Sequence, residues 1–418
     1  MHKAISNCRI CGNKNLIEVV NLGNQYLTGV FPKSPEEKIS SGPLVLVKCD
    51  DISNDSACGL LQLAHSYDHN EMYGENYGYR SGLNKSMVRH LQAKVNKVMS
   101  VAHLNDNDLI IDIGSNDATT LRTYPAGKFQ LVGIDPTGNK FKNYYPEHIS
   151  LIADFFSDEA FQSRFPEKKA KVVSSIAMFY DLEEPMKFMQ HIYNVLDNEG
   201  IWIFEQSYMP SMLKVNAYDT ICHEHLEYYA LKQIKWMADR VGFKIIDVEL
   251  NNSNGGSFEV ICAKKESSYS PNMVTIRPIE EEEAKAGFNT LEPFIKFNER
   301  IIKHRTELIN KLKELKAAGK KVLGYGASTK GNVILQYCGI TNNDINCIAE
   351  VNEDKFGSFT PGTLIPMVSE ADAKAMKPDY FLVLPWHFKE NTIEREHDFI
   401  QQGGKFLFPL PEIHEVGK

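Results

Sequence analysis

The chain of 418 residues is 43% hydrophobic and 24% charged, which is typical of a soluble globular protein with two or three domains. Its formal net charge of -8 disfavours a nucleic acid or an anionic membrane as a partner, since both select basic surfaces. No apolar run approaches the roughly 18–20 residues that span a bilayer, and the N-terminus lacks the apolar core of a signal peptide, so we expect a cytoplasmic protein.

Four of the eight cysteines lie in the first 60 residues, as Cys8-x-x-Cys11, Cys49 and Cys58. A disulfide framework is unusual in a cytoplasmic protein, whereas four thiolates can close a tetrahedral structural zinc site. The spacing therefore predicts a zinc-binding domain over residues 1–70, with these four side chains as ligands. Surface cysteines without a metal are the alternative interpretation.

A strand, a turn and a helix are predicted around the sequence LIIDIGSND, residues 109–117. A dinucleotide-binding turn would carry three glycines, and here only Gly114 is present. A single close approach of the backbone suits a donor without phosphates, and a nearby carboxylate suits a cationic sulfonium. The form strand-D-x-G-S-N-D resembles the first motif of class I methyltransferases. This resemblance implies that the turn binds S-adenosylmethionine through Asp112, Gly114, Ser115, Asn116 and Asp117.

The ends of the next three strands extend this predicted cofactor site. Asp135 ends the strand FQLVGID, where a carboxylate can accept both ribose hydroxyls. Asp154 and Phe155 follow the third strand, where we expect them to flank the adenine, and Ala177 at the end of the fourth should lie beside the donor methyl. Residues 71–265 thus predict a parallel α/β domain of the Rossmann type. Any α/β domain with acidic strand ends is the alternative.

The sequence NAYDTICHEHLEYY, residues 216–229, follows the fifth predicted strand and should therefore lie at the ligand-binding edge of the sheet. It places Glu224 between His223 and His225, and histidine is the usual general base near neutral pH. Methylation at carbon needs such a base to remove a proton next to a ketone. Half of a metal site and a hydrogen-bonded loop are the alternatives.

Two further segments resemble substrate-binding elements. The tyrosine-rich segment 73–87 contains Tyr79 and Arg80 and could form a lid, or it could be a plain surface loop. The segment NSNGGSF contains Asn254 and Gly255, where a ligand can approach the backbone closely, although a hairpin turn would look the same.

A polar joint at 264–272 precedes a long amphipathic helix and a second α/β region. The helix carries apolar residues at helical spacing: Phe294, Phe297, Ile301, Leu308, Leu312 and Leu315. After it, the sequence GYGASTKG opens a helix whose N-terminus suits an anion. We expect Ser328 and Lys330 to hold a diphosphate there and Glu350 to meet a ribose; binding of NAD is the alternative. The roles of Trp386 and His387 stay open.

The ordered motifs Cys-x-x-Cys, DIGSND, HEHLEYY, NGGSF and GYGASTKGN resemble the nucleotide-sugar 3-C-methyltransferases of deoxysugar biosynthesis, of the tetronitrose, mycarose and virenose type. The resemblance implies a zinc-binding domain at 1–70, a class I methyltransferase domain at 71–265 and a Rossmann-like substrate-binding domain at 275–418. It implies methylation at C3 of a GDP- or dTDP-linked 4-keto-6-deoxyhexose, with structural Zn2+ and S-adenosylmethionine as cofactors.

The resemblance also implies catalytic roles for His225 as the base, for Glu224 beside it and for Tyr79 in the lid. The sequence departs from the family at Cys222, where relatives carry a tyrosine, and at the end of the fourth strand, where some carry a histidine. Tyr180 or His223 is then predicted to supply the donor that steadies the enolate oxygen.

Three other functions stay open at this stage. A histidine base would equally serve a sugar O- or N-methyltransferase, the second glycine turn would serve an NAD-dependent nucleotide-sugar oxidoreductase, and the cysteine pairs would serve a zinc-ribbon interaction protein. We expect a monomer or a weak homo-oligomer; the sequence does not distinguish GDP from dTDP, nor define the sugar stereochemistry.

Overall fold

The computed structural model describes residues 2–72 and 79–418 and contains three sheet-based domains in chain order. This confirms the predicted α/β class and the order of a small N-terminal domain, a central domain and a C-terminal domain. Among the described residues, no helix combines the length and the apolar character needed to cross a membrane.

The N-terminal domain is built from short strands around the cysteine cluster. Its elements are β1 (Lys3–Ala4), β2 (Leu16–Tyr26), β3 (Ser41–Cys49), β4 (Leu61–Leu63), β5 (His65–Ser66) and α1 (His69–Met72). Strands β2, β3 and β4 form an antiparallel sheet, and β1 pairs with β5.

The central domain carries one large sheet covered by helices. Its elements are α2 (Lys85–Val101), β6 (Leu109–Ile113), β7 (Gln130–Ile134), α3 (Gly138–Phe141), β8 (Ile149–Ile152), α4 (Asp158–Arg164), β9 (Ala170–Ile176), α5 (Pro185–Val195), β10 (Leu196–Ser207), α6 (Met209–Lys214), β11 (Glu227–Tyr228), α7 (Leu231–Val241), β12 (Phe243–Asn251), β13 (Ser257–Lys264) and α8 (Met273–Ala286).

The seven strands of this sheet follow the order β12-β13-β10-β9-β6-β7-β8. Strand β13 is antiparallel to its two neighbours, and the five strands from β10 to β8 are parallel. Every residue of β6 is buried, which explains its uninterrupted apolar sequence around Asp112. Because the chain order reverses at β6, a crevice opens outside the carboxyl ends of β6 and β9, where ligands of open α/β sheets bind.

The C-terminal domain repeats this arrangement with a smaller sheet. Its elements are α9 (Glu292–Ala317), β14 (Val322–Tyr325), α10 (Thr329–Cys338), β15 (Ile348–Glu350), β16 (Met367–Ser369), α11 (Glu370–Ala375), β17 (Tyr380–Val383), α12 (Lys389–Arg395), α13 (His397–Gln401), β18 (Lys405–Phe408) and β19 (His414–Val416). The order β16-β15-β14-β17-β18-β19 reverses at β14, so a second crevice opens between the carboxyl ends of β14 and β17.

The long helix α9 confirms the predicted amphipathic segment, because every apolar residue that defined its period is buried. It packs against β2 of the N-terminal domain as well as β14 and α10. Helix α8, which the sequence prediction places at the start of the C-terminal domain, instead contacts β12 and α7 of the central domain. Its Glu283 accepts the backbone N–H groups of Leu231 and Lys232 at the start of α7.

Strand β11 connects the central domain to the N-terminal domain. Although it follows β10 in sequence, it pairs antiparallel with β4 and so completes the N-terminal sheet in the order β11-β4-β3-β2. The backbone N–H of Leu63 also donates to the carbonyl oxygen of Leu226 at 2.8 Å. The segment that follows the predicted reacting histidines is therefore part of the cysteine-containing domain.

Helix α2 is attached to the central sheet by buried ion pairs. Lys94 lies 2.6 Å from the carboxylates of both Glu205 and Glu259, and His90 lies 2.6 Å from Glu205. Removing one partner from such a cluster leaves an uncompensated buried charge, so the contacts fix the helix in one place. They thereby position the residues before Lys85, which approach the first crevice.

Candidate active site and metal centre

The four predicted zinc ligands form one cluster in the N-terminal domain. Their sulfur atoms all lie within 4.8 Å of one another, with Cys8 and Cys58 at 3.5 Å and Cys11 and Cys49 at 3.4 Å. Sulfurs around a tetrahedral zinc ion with bonds of 2.3 Å would lie about 3.8 Å apart, so the cluster fits this ion. A set of four thiolates leaves no open position for a substrate and is structural.

Replacement of Cys58 by serine should release the zinc, because three remaining thiolates hold it much less tightly. We expect metal analysis to find about one zinc per chain in the parent protein and far less in the variant, together with a lower unfolding temperature. Cys347→Ser, at a buried cysteine of the C-terminal domain, is the control. Zinc retained in full by Cys58→Ser would contradict the assignment of this ligand.

The predicted turn of the cofactor site has the geometry of a close approach. Gly114 has a φ of +72°, a left-handed conformation that favours glycine, and a Cβ there would come within 3.2 Å of the side chain of Met178. The hydroxyl of Ser115 contacts that of Tyr145 at 2.8 Å. The turn therefore presents backbone, rather than side chains, to the first crevice.

Asn116 and Asp117 hold the segment that leads into α2. The side-chain oxygen of Asn116 accepts the backbone N–H of Ser81 at 3.0 Å, and Asp117 accepts that of Gly82 at the same distance. The amide of Asn116 also donates to the carbonyl oxygen of Tyr79 at 3.2 Å. These side chains thus attach the described part of the predicted lid to the cofactor turn.

Two buried carboxylates lie beneath the turn. Asp112 accepts a hydrogen bond from Ser174 at 2.6 Å, and burial raises the pKa of its carboxyl group to about 7. Asp135 accepts the backbone N–H groups of Asn116 and Thr137, as well as the hydroxyl of Thr137. A carboxylate has about four acceptor sites, so these three donors leave about one of them on Asp135 for a ribose hydroxyl.

The remaining predicted cofactor residues are exposed around the crevice. The side chain of Phe155 is 56% exposed although it is aromatic, and Asp154 beside it is also exposed. Ala177 is exposed directly after β9 and has a φ of 54°. An exposed aromatic ring, buried carboxylates and a single glycine turn at the crevice fit a nucleoside donor that carries a cationic sulfonium.

His225 is oriented by a backbone carbonyl group. Its Nδ1 lies 2.9 Å from the carbonyl oxygen of Thr220, and a carbonyl only accepts, so Nδ1 carries the proton and Nε2 carries the lone pair. The edge of the imidazole meets the ring of Tyr180 at a centroid distance of 4.4 Å. Burial and the positive charge of Lys330 lower the pKa of His225 to about 3, so the free protein holds it neutral and able to accept a proton.

The predicted contact between Glu224 and the imidazole is not present. The carboxylate of Glu224 instead reaches the hydroxyl of Thr28 at 3.4 Å, and a Cβ on Gly29 would clash with it. Burial raises the pKa of the Glu224 carboxyl group. The orienting partner of His225 is therefore the Thr220 carbonyl, and Glu224 lies where the N-terminal domain meets the reacting loop.

The prediction that His223 could serve as a donor to the enolate does not fit the structure. Its side chain is 0% exposed and packs edge-on against Tyr67 of the N-terminal domain, with ring centroids 4.6 Å apart. Burial lowers the pKa of His223 to about 4. A fully buried ring in this position stabilises the contact between domains and does not reach a substrate.

His223 should make the protein sensitive to acid. Its pKa in the folded protein lies below the ordinary value of 6.5, so the unfolded chain takes up the proton first and stability falls as the pH decreases below that value. The free energy of unfolding of the parent should fall as the pH is lowered from 7 to 5. In His223→Phe this fall should be smaller by about 2 kcal/mol, because phenylalanine takes up no proton. Urea unfolding checks this, with the exposed His397→Gln as control; equal losses in the parent and His223→Phe would contradict it.

The predicted lid lies partly outside the described residues, which omit 73–78. The side chain of Tyr79 is 48% exposed, and Arg80 stacks on the ring of Tyr144 with its guanidinium carbon 4.6 Å from the centroid. Arg80 also lies 3.7 Å from Asp117. These contacts place Arg80 beside the cofactor turn.

At the second crevice, the predicted substrate residue Lys330 of the C-terminal domain lies close to the predicted substrate residues Asn254 and Gly255 of the central domain. The ammonium group of Lys330 donates to the carbonyl oxygen of Asn254 at 2.8 Å, across the boundary between the two domains. Gly255, with a φ of +91°, lies against Trp386, whose ring would be 3.5 Å from a Cβ at this position. Lys330, Asn254 and Gly255 therefore belong to one site.

Ser328 and Glu350 make contacts within their own domain. The hydroxyl of Ser328 accepts the backbone N–H of Gly331 at 3.0 Å and caps α10. Glu350 accepts the backbone N–H groups of Ala327, Val351 and Asn352. As with Asp135, these donors leave little acceptor capacity on Glu350 for a ribose.

The 3-10 turn Tyr218–Thr220 carries the carbonyl that orients His225 and was not predicted from the sequence. Asp219 in this turn is 1% exposed and accepts the indole N–H of Trp386 at 2.8 Å. The hydroxyl of Tyr218 lies 3.1 Å from Nδ1 of His304 on α9. The C-terminal domain therefore holds the turn, and the residues DT offer no recognisable signal of this in the sequence.

Comparison with known families agrees with the three domains of the structure. Residues 8–73 match a zinc binding domain family, residues 84–248 a methyltransferase domain family, and residues 252–411 a family described as the C-methyltransferase C-terminal domain. The three matches follow one another along nearly the whole chain and include the cysteine cluster and both crevices.

The chain is also similar along its length to the C-methyltransferase NovU of Streptomyces niveus, with 27% identity over 98% of this chain and 96% of that protein. Among solved structures, the plantazolicin methyltransferase BpumL with SAH shares 12% identity over 44% of this chain and 87% of its own, with a TM-score of 0.36. The CcbJ methyltransferase from Streptomyces caelestis shares 9% identity over 42% of this chain and 89% of its own, with a TM-score of 0.33.

The structural similarities are too low to assign a function, whereas the consecutive family matches and the similarity to NovU agree with the motifs and with the geometry of both sites. They exclude the oxidoreductase and the inactive zinc-ribbon protein as alternatives. The chain combines a zinc binding domain, a methyltransferase domain and a C-methyltransferase C-terminal domain, and it is an S-adenosylmethionine-dependent C-methyltransferase with a structural zinc site.

Proposed function

We propose that the chain methylates carbon 3 of a nucleotide-linked 4-keto-6-deoxyhexose, carrying GDP or dTDP, in the biosynthesis of a branched deoxysugar. The hydrogen bond from Nδ1 of His225 to the Thr220 carbonyl supports this proposal most directly, because it leaves Nε2 as a proton acceptor. The motifs HEHLEYY and GYGASTKGN, by which the sequence resembles sugar C3-methyltransferases, indicate the class of substrate.

The reaction begins with a proton transfer. A ketone at C4 makes the C3 proton acidic, and Nε2 of His225 takes this proton while the electrons of the broken C–H bond pass into the enolate. S-adenosylmethionine, when bound, supplies an electrophilic methyl group, and the electrons of the broken carbon–sulfur bond stay on sulfur. A positioned base contributes roughly 10²–10⁴-fold to the rate, and a neutral imidazole is ready for this role.

Several side chains are proposed to surround the two substrates. The donor lies over the turn at Gly114, between Asp135, Phe155 and Ala177. The sugar lies between the two crevices, close to His225, Tyr180 and the segment that contains Asn254 and Gly255. We keep Tyr79 and Arg80 as candidates for closing the site, and the proposed domain limits are 1–70, 71–265 and 275–418.

The substrate class is tested by incubating the protein with S-adenosylmethionine and a panel of GDP- and dTDP-linked 4-keto-6-deoxyhexoses. We expect a mass increase of one methyl group with at least one sugar and a carbon-bound methyl at C3 in the NMR spectrum of the product. A panel of the matching 4-hydroxy sugars is the control, because without the ketone the C3 proton is not acidic. Methylation of the hydroxy sugars, or at oxygen, would contradict the proposal.

His225→Asn should abolish turnover, because the amide cannot accept the proton, although it can still donate to the Thr220 carbonyl. We expect turnover to fall by at least about 10²-fold while the affinity for S-adenosylmethionine, measured by calorimetry, stays unchanged. His148→Asn is the matched control, because His148 is exposed and lies far from His225 in the sequence. Near-normal turnover in His225→Asn would show that another group removes the proton.

A further inference from the structure

Lys330 is a partly buried cation without an acidic partner at contact distance. Its ammonium group donates to the carbonyl oxygen of Asn254 at 2.8 Å, and among the described residues no carboxylate oxygen lies within 4.0 Å of it. Burial lowers the pKa of the ammonium group, as expected for a cation that is incompletely compensated. Such a group points to an anion that the protein binds or generates at this place.

The charge of Lys330 acts on the reacting centre itself. It lowers the pKa of His225 on the reacting loop and that of His387 after β17, each to about 3 together with burial. It also opposes the rise in pKa that burial causes at Asp219 in the turn that carries the Thr220 carbonyl. The contacts lead to the same place. Gly255, next to the Asn254 whose carbonyl accepts from Lys330, lies against Trp386, and the indole N–H of Trp386 donates to Asp219 beside Thr220. Lys330 therefore lies close to the residues that orient His225, although it belongs to the C-terminal domain.

The surroundings of α10 disfavour the contact with a diphosphate that the sequence predicts for Lys330. A diphosphate at a helix N-terminus is normally held by several backbone N–H groups. Here the backbone N–H of Gly331 donates to the hydroxyl of Ser328, and the N–H of Ala327 donates to the carboxylate of Glu350 at 3.0 Å, so two N–H groups around this N-terminus are already used. That carboxylate would repel a diphosphate, while the ammonium group of Lys330 reaches away from it to the central domain.

We propose that Lys330 is a catalytic residue whose ammonium group contacts the oxygen of the substrate ketone and stabilises the negative charge that forms there. This inference rests on the proposed function and identifies a group that the sugar methylation requires. When Nε2 of His225 takes the C3 proton, the electron pair of the C–H bond forms a C3–C4 double bond. The π electrons of the ketone move to its oxygen, which becomes the anion beside Lys330.

This arrangement places the new anion between two cations. Before the reaction, the charge of Lys330 opposes protonation of His225. Once the oxygen carries a negative charge, the protonated imidazole and the ammonium group both face it, so the repulsion between them is compensated. A fixed cation at the place where charge develops stabilises the transition state more than the ground state.

The test uses Lys330→Met, which keeps the length of the side chain and removes the charge, in the otherwise complete protein. Exchange of the C3 proton is followed by NMR in deuterated solvent with S-adenosylhomocysteine present, on the sugar that the parent protein methylates. We expect exchange and kcat to fall by about 10²–10³-fold, while the Kd for the free nucleoside diphosphate, GDP or dTDP, stays within twofold. Lys389→Met is the matched control, because Lys389 lines a cavity together with Trp386 and His387 of the same domain.

The proposal would be overturned if Lys330→Met exchanged the C3 proton and turned over at rates near those of the parent. It would also be overturned, in favour of a diphosphate contact, if only KM and the Kd for the nucleoside diphosphate rose strongly. Thermal unfolding checks that the variant is folded, and Lys330→Gln replaces it in the same comparison if it is not. If the parent protein itself neither exchanges nor methylates any keto sugar, the proposed function fails, which is a different result.

Discussion

The position of His225, the proposed base, depends on a two-residue strand that belongs to another domain's sheet. Glu227–Tyr228 pairs with β4 close to Cys58, and Leu226 donates its N–H to the carbonyl oxygen of Tyr180 at 2.8 Å. The reacting loop has no sheet of its own, so its conformation is determined by these contacts. Folding energy supplied by zinc at the cysteine cluster therefore contributes to holding His225 in place.

The C-terminal domain supplies the other constraint on the same imidazole. The Thr220 carbonyl lies in a turn whose neighbours, Tyr218 and Asp219, contact His304 and Trp386. The central domain alone would leave this turn unsupported, although it carries both the cofactor turn and the base. Contacts from all three domains thus converge on His225, the proposed base.

Features that depend on neighbouring residues in the chain could be predicted from the sequence. The cysteine spacing, the turn at Gly114 and the period of α9 each reflect a local geometric requirement, and the structure agrees with them. The partners of Glu224 and His223 could not be predicted in this way. Both lie in an irregular loop, where no period indicates side-chain direction, and their contacts come from residues roughly 150 to 200 positions earlier, Thr28 and Tyr67.

The exchange of a strand between domains also bears on how such enzymes diversify. If the N-terminal domain were replaced by that of a relative, the new domain would lack the fourth strand of its sheet. Its β4 would then have to pair with the Glu227–Tyr228 strand of this chain. The residues that would have to be exchanged together are therefore not continuous in the sequence. They comprise about the first 70 residues and the loop around position 225. Recombination at a simple domain boundary would separate the two parts of this unit.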